Sequence, residues 1–158
     1  MRKSISAIVV AVAASLILPA AAFAHWPVAN VRSYISQGYS REHKAYDIAS
    51  YKGTKVVPIR AGTVVFAGRK DNCGGLQVYI RHGDGLYSAY HHLSAEYVHR
   101  GQYVTGRTMI GRVGESGCAT GPHLHISTWR GFPWHSGSFR ISPWTYIDSG
   151  SYLPLRYR

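Results

Sequence analysis

Acidic side chains are scarce in this sequence: 7 Asp and Glu stand against 18 Lys and Arg in 158 residues, a formal net charge of +11 at pH 7. The glutamates are Glu42, Glu96 and Glu115. None sits in a His-Glu-x-x-His frame, which excludes the helical metalloprotease site whose base is a glutamate. Long stretches of helical periodicity are also missing, as are internal repeats and low-complexity linkers, so a helix-rich fold and a second domain are not expected. Gly114-Glu115-Ser116-Gly117 lacks the spacing of a nucleophile elbow, and Gly111-x-x-Gly114-x-x-Gly117 is no dinucleotide fingerprint. Cysteine is limited to Cys73 and Cys118.

The one long apolar run, from about Ile5 to Ala22, follows Met1-Arg2-Lys3 and ends in Ala22-Phe23-Ala24. A small-x-small ending is what signal peptidases cut after, so residues 1–24 read as a signal peptide and residues 25–158 as the mature domain. The alternative is a membrane anchor, but the run ends in a cleavage site rather than a stop-transfer cluster, and no membrane span is expected after its removal. Export to a periplasm, or to the extracellular space and cell wall, follows. In an oxidising compartment an even cysteine count favours a Cys73–Cys118 disulfide over buried thiols or a nucleophilic Cys118. The mature chain stays strongly basic, which suits acidic polymers, and export makes nucleic acid the weaker choice among them. The cations are nevertheless spread along the chain, as on an ordinary solvated surface.

The mature part reads as mainly β: one small domain on an antiparallel sheet with an open groove and few or no helices. Short runs of β-branched and aromatic residues predict strands at Ala45–Tyr51, Gly62–Gly68, Leu76–His82, Gly85–His92, Thr108–Val113 and His123–Trp129. Glycine-rich turns separate them, and Gly83-Asp84-Gly85 is the clearest hairpin signal. A short helix is expected near Ser94–Arg100. The segment from Phe132 onward, rich in proline, tyrosine and tryptophan, is expected to pack irregularly over the sheet or to rim a cleft.

Nine histidines are present, and His91-His92 and His123-x-His125 form two tight groups. On a strand, positions i and i+2 share a face about 7 Å apart, so His123 and His125 would face one cavity while Leu124 enters the core. Upstream, His43 and Asp47 stand four residues apart. A histidine and a carboxylate joined by a distant histidine make a three-ligand zinc site with an open position, which is catalytic rather than structural. Each piece alone is weak: His-x-His is more often incidental, His43 and Asp47 could be an exposed polar pair, and His91-His92 could be one buried and one surface residue.

The flanking residues add a resemblance. His43-Lys44-Ala45-Tyr46-Asp47-Ile48-Ala49 is similar to the His-x-x-x-Asp-Ile-Ala segment of the lysostaphin/LytM zinc endopeptidases. Gly117-Cys118-Ala119-Thr120-Gly121-Pro122-His123-Leu124-His125 resembles their Ser/Thr-Gly-Pro-His-Leu-His signature. Pro58–Gly68, His82–Ser94 and Gly101–Gly117 resemble the intervening segments, and the order holds from about Val31 to Ile147. The resemblance implies that His43, Asp47 and His125 bind one Zn2+ per chain and that His92 and His123 are catalytic. It leaves His91 without a role. It further implies hydrolysis of peptide cross-links in peptidoglycan by a monomer, with groove walls around Gly38-Tyr39, Asp71-Asn72 and Gly131-Phe132. One departure is Ala45, where the family usually has glycine; alanine tolerates positive φ poorly. A non-catalytic peptidoglycan-binding or regulatory module on the same fold is the first alternative, and a cysteine peptidase using Cys118 with His123 or His125 the second. Zinc content, turnover and thiol alkylation separate the three.

Overall fold

The computed structural model describes residues 25–131, 134–135, 138–139 and 146–153; the leader and Phe132 lie outside them. In chain order the strands are β1 (Tyr34–Gln37), β2 (Tyr46–Ala49), β3 (Lys55–Val56), β4 (Gly62–Arg69), β5 (Leu76–Arg81), β6 (Leu86–Leu93), β7 (Ala95–Glu96), β8 (Tyr103–Val104), β9 (Gly111–Arg112), β10 (His123–Arg130), β11 (Trp134–His135), β12 (Ser138–Phe139) and β13 (Tyr146–Ile147). The main sheet is antiparallel in the order β1-β2-β10-β6-β5-β4-β8, with β13 paired to the far end of β10. A smaller sheet has the order β3-β9-β7. Helix is confined, among the described residues, to short 3-10 turns.

Alternation along the central strands divides the main sheet into two faces. Leu124 and Ile126 of β10, Ile48 of β2, Val78 and Ile80 of β5 and Tyr90 and Leu93 of β6 are buried in the principal core, with Val56 of β3 and Ile110 beside β9. Burying a side chain of this size stabilises the fold by roughly 1.5–3 kcal/mol. The opposite face carries His123, His125 and Trp129 on β10, with Tyr87, Ala89 and His91 as cross-strand partners on β6. Its aromatic end, Tyr79, Tyr87 and Trp129, forms a second buried cluster, with Tyr87 stacked on Trp129 at 5.5 Å.

Five of the six expected strands match within two residues at each end, and the hairpin turn forms as a 3-10 turn over Gly83–Gly85 closed by His82 N–H donating to Leu86 O at 2.8 Å. His82 itself is a satisfied core histidine: Nδ1 lies 2.9 Å from Ala61 O and Nε2 2.8 Å from Ser88 Oγ. The expected 94–100 helix does not form. Ser94 N–H donates to Arg112 O and Tyr97 N–H to Ile110 O, so distant backbone takes the donors a helix would use locally. The 108–113 strand shrinks to Gly111–Arg112 because Thr108 N–H turns back to Thr105 O. Strand β1, whose Tyr-Ile-Ser-Gln has three exposed residues of four, had no sequence signal.

Candidate metal centre and catalytic groove

Register fixes the centre of the site. His125 of β10 is the cross-strand partner of Asp47 on one side and of His91 on the other. Direct partners point to the same face, about 4.5–5.5 Å apart, so Asp47, His125 and His91 form a row. His43, one turn before β2, completes the group: Nε2 lies 3.3 Å from Asp47 Oδ2, while His125 Nδ1 lies 2.8 Å from Asp47 Oδ1. The donor atoms of His43, Asp47 and His125 all lie within 4.8 Å of one another. A second grouping, His92, His123 and His125, meets the same limit and shares His125.

The first group fits a metal on the state of its atoms. His43 Nδ1 lies 3.0 Å from Gly38 O, to which it donates, and this turns Nε2 toward the carboxylate. The buried His43 Nε2 then faces Asp47 Oδ2 without a hydrogen bond, while Asp47 Oδ1 has His125 Nδ1 beside it at 2.8 Å. A buried polar atom without a partner is costly, and a shared cation satisfies the ring and the carboxylate at once. Burial pushes the Asp47 carboxyl up, but the surrounding His125, His43 and His123 rings outweigh it and hold the group below its ordinary value. The carboxylate is therefore ionised and ready to ligate.

Beside this group stand two imidazoles with matched orientation. His92 Nδ1 lies 2.8 Å from Ser116 O and His123 Nδ1 lies 2.9 Å from Gly121 O. A ring that donates from Nδ1 to a carbonyl keeps Nε2 as its acceptor. The ring centroids are 4.7 Å apart. Burial pulls the His92 pKa below its ordinary value, against the opposing pull of Ser116 O, so the ring is neutral near pH 7.

The His91-His92 pair is resolved by a backbone irregularity. Successive strand residues point to opposite faces, yet His92 is the non-glycine residue with positive φ, at 60°, among those described. It lies where two residues of β6, His91 and His92, oppose the single Gln77 of β5 between the Leu76–Leu93 and Val78–Tyr90 pairs. Such a bulge re-aims a side chain next to a site, and here it turns His92 toward His123. His91 keeps the regular direction and packs edge-on against His125 at 5.1 Å and at a tilt against Tyr79 at 5.6 Å. Burial, then the neighbouring rings and Lys70, push its pKa well below the ordinary range.

The model of peptidase family M23 matches residues 41–136, well over half of the chain and a span that contains His43, Asp47, His92, His123 and His125. The chain belongs to peptidase family M23. It is 44% identical over 85 residues to the DD-carboxypeptidase/endopeptidase Mpg of Neisseria meningitidis, covering 54% of this chain and 19% of that protein. Lysostaphin of Staphylococcus simulans superposes with a TM-score of 0.66 at 30% identity, over 77% of this chain and 49% of that one. A zinc-containing peptidase from Vibrio cholerae superposes with a TM-score of 0.63 at 27% identity, over 68% of this chain and 36% of that one. The chain spans about a fifth of the length of the curated relatives it matches, 19% of Mpg and 22% of lysostaphin.

The disulfide expected from the cysteine count is present in this M23 chain. Cys73 and Cys118 are joined in a disulfide, leaving no free cysteine, so Cys118 has no thiol to act as a nucleophile. The bridge clamps two loops that touch His92 directly: Gly74 O accepts from His92 N–H at 2.9 Å, and Ser116 O takes its ring N–H. Ser116 Oγ ties the same loops to the sheet, accepting from Leu76 N–H and donating to Leu93 O. Ser116 lies in the Gly114–Gly117 segment that lacks an elbow's spacing, and it is its backbone carbonyl that meets the site. Ala45 is buried without positive φ, so the absence of glycine there leaves the backbone undisturbed. Of the expected walls, Gly38 orients His43, Lys44 lies over the Tyr39 ring at 5.0 Å, and Asn72 Oδ1 accepts from Gly74 N–H.

Proposed function

We propose that residues 25–158 form an exported zinc endopeptidase that hydrolyses peptide cross-links of peptidoglycan, after removal of residues 1–24. The observation that carries this reading is the buried His43 Nε2, unpartnered and turned on the Asp47 carboxylate, beside two imidazoles, His92 and His123, each held through Nδ1 by a backbone carbonyl. His43, Asp47 and His125 would hold one zinc ion. The His92, His123 and His125 grouping is the weaker candidate, because it lacks a carboxylate and would consume both proton carriers. When bound, the metal supplies Lewis acidity and an open coordination position.

The remaining work falls to the chain. His92 or His123 accepts a proton at Nε2 from the water whose oxygen bonds to the amide carbon, and the resulting imidazolium stabilises the developing oxyanion. The proton then passes to the departing nitrogen as the carbon–nitrogen bond breaks, leaving a carboxylate and an amine. A glutamate base is not required. The basic surface complements an acidic wall.

The test is zinc content and peptidoglycan cleavage by the mature protein, wild type beside His125→Ala, with chelator and zinc add-back. About one zinc per chain, and cleavage that the chelator removes and zinc restores, support the proposal. Intact muropeptides with a folded protein would place the chain among binding modules instead.

A further inference from the structure

Outside the metal centre, a surface cavity of about 360 Å³ opens along β1, the β2 end and the turn before β10. Arg32, Lys52, Tyr34, Tyr51, Ala49 and Pro122 line it, and no acidic residue does. Tyr34 is 63% and Tyr51 67% exposed, an unusual amount of aromatic surface to leave in water. The Arg32 and Lys52 side chains are exposed and enter no ion pair among the described residues.

Register ties this cavity to the catalytic groove. Tyr34 of β1 pairs with Ala49 of β2, and Ala49 pairs with His123 of β10. Direct partners share a face, so Tyr34, Ala49 and His123 form one row on the site face. The residue between the tyrosine and the histidine is alanine, which leaves the row open in the middle. Pro122, on the cavity wall, immediately precedes His123. Two strand spacings separate the Tyr34 and His123 backbones, about 10 Å. An extended peptide advances about 3.3 Å per residue, so a chain cut beside His123 reaches the cavity some three residues away.

Building on the endopeptidase reading, we propose that this cavity is a substrate subsite for a peptide carboxylate about three residues from the cleaved bond. Arg32 and Lys52 take the carboxylate, and Tyr34 and Tyr51 flank the adjoining aliphatic part. The guanidinium can bind the carboxylate through two parallel N–H donors, and lysine adds a point charge. The subsite would make the enzyme select cross-links whose stem peptides carry free carboxylates over amidated ones.

The experiment compares a cross-linked stem-peptide dimer bearing free carboxylates with the same dimer amidated, using zinc-loaded wild type and the Arg32→Ala/Lys52→Ala variant. The variant is expected to raise KM for the carboxylate substrate about tenfold, to leave kcat within about twofold, and to cleave the amidated dimer as wild type does. A KM unchanged, or an equal loss on both substrates, overturns the proposal. Binding of the two dimers is measured in parallel by calorimetry in the zinc-loaded His123→Ala background, with and without the cavity substitutions. If wild type cuts neither dimer, the endopeptidase reading falls while the binding arm still decides this one: preference for the carboxylate dimer, lost on removing Arg32 and Lys52, supports it, and equal binding refutes it. Tyr34→Ala, expected to weaken binding of both dimers, separates the aromatic from the ionic contribution.

Discussion

Replacing Cys73 and Cys118 by serine should damage catalysis beyond what it does to folding. The bridge spans a sequence separation of 45, and the loop-entropy model gives about 4 kcal/mol for closing a loop of that size. For a domain of this size that corresponds to a fall in Tm on the order of 15 °C. The protein should still be folded at low temperature, because neither cysteine belongs to the principal core, which draws on β2, β4, β5, β6 and β10 among other segments. What loosens is the paired 73–75 and 116–118 loops, where Cys118 N–H donates to Cys73 O at 2.9 Å. With them goes the fixed position of Ser116 O, the acceptor that holds the His92 ring.

Loss of an orienting partner of this kind typically costs about 10–100-fold in activity. We therefore expect kcat to fall by roughly that factor at a temperature where circular dichroism shows the variant fully folded, with KM little changed. Zinc content should stay near wild type, since His43, Asp47 and His125 are tied to neither loop. Nitrogen chemical shifts of His92 supply the direct readout: a single Nδ1-protonated tautomer in wild type and a mixture in the variant. If kcat is retained, or falls only as the unfolded fraction rises, the bridge is a staple for stability and the positioning argument is wrong.

Three further outcomes follow from the same geometry. His92→Ala should abolish turnover while keeping zinc, whereas His91→Ala should keep most turnover and lower stability by about 2–4 kcal/mol through the cavity it leaves; the reverse pattern in kinetics and thermal melts would reassign the pair. Burial depresses the His91 pKa, so below its ordinary 6.5 the unfolded chain binds a proton that the folded one does not, and stability contributed above pH 6.5 is lost on acidification; melts from pH 7.5 to 5 should show a slope that His91→Ala reduces. Because burial also lowers the His92 pKa from 6.5, the acid limb of kcat should lie below pH 6.5, and a limb above it would show that another group controls the rate.

Much of the site was legible because strand periodicity is simple. His123 and His125 share a face because they are two apart, and Asp47 and Ile48 divide between groove and core in the same way. The His43-x-x-x-Asp47 spacing could be read as a ligand pair, but the register that sets Asp47 opposite His125 is a property of strands distant in sequence. His92 was the hardest residue to place. In a regular β6 it would point away from His91 into the core, and only the bulge and a φ of 60° bring it to the groove. Neither feature has a glycine to announce it. The expected 94–100 helix failed for the related reason that its backbone donors were claimed by residues 110–112.

The structure divides the two halves of the proposed chemistry between different kinds of support. His125 and Asp47 lie on paired strands and His43 hangs on Gly38 O, so the metal-holding half depends on the register of the main sheet. His92 and His123 take their ring orientation from loop carbonyls, Ser116 O and Gly121 O, at either end of a segment that contains Cys118. Gly117 shows how tightly that segment is held: its φ is +74°, and a Cβ there would lie 2.2 Å from Cys73 O. Gly117→Ala therefore cannot be absorbed by a flexible side chain and must move backbone, at a cost of about 1–3 kcal/mol. If the division is real, that single methyl should reproduce the disulfide variant's signature, with lowered kcat, a mixed His92 tautomer and zinc retained, even though the bridge remains oxidised. Zinc loss in Gly117→Ala would mean that the loop supports the metal ligands as well, and that the two halves are mechanically one.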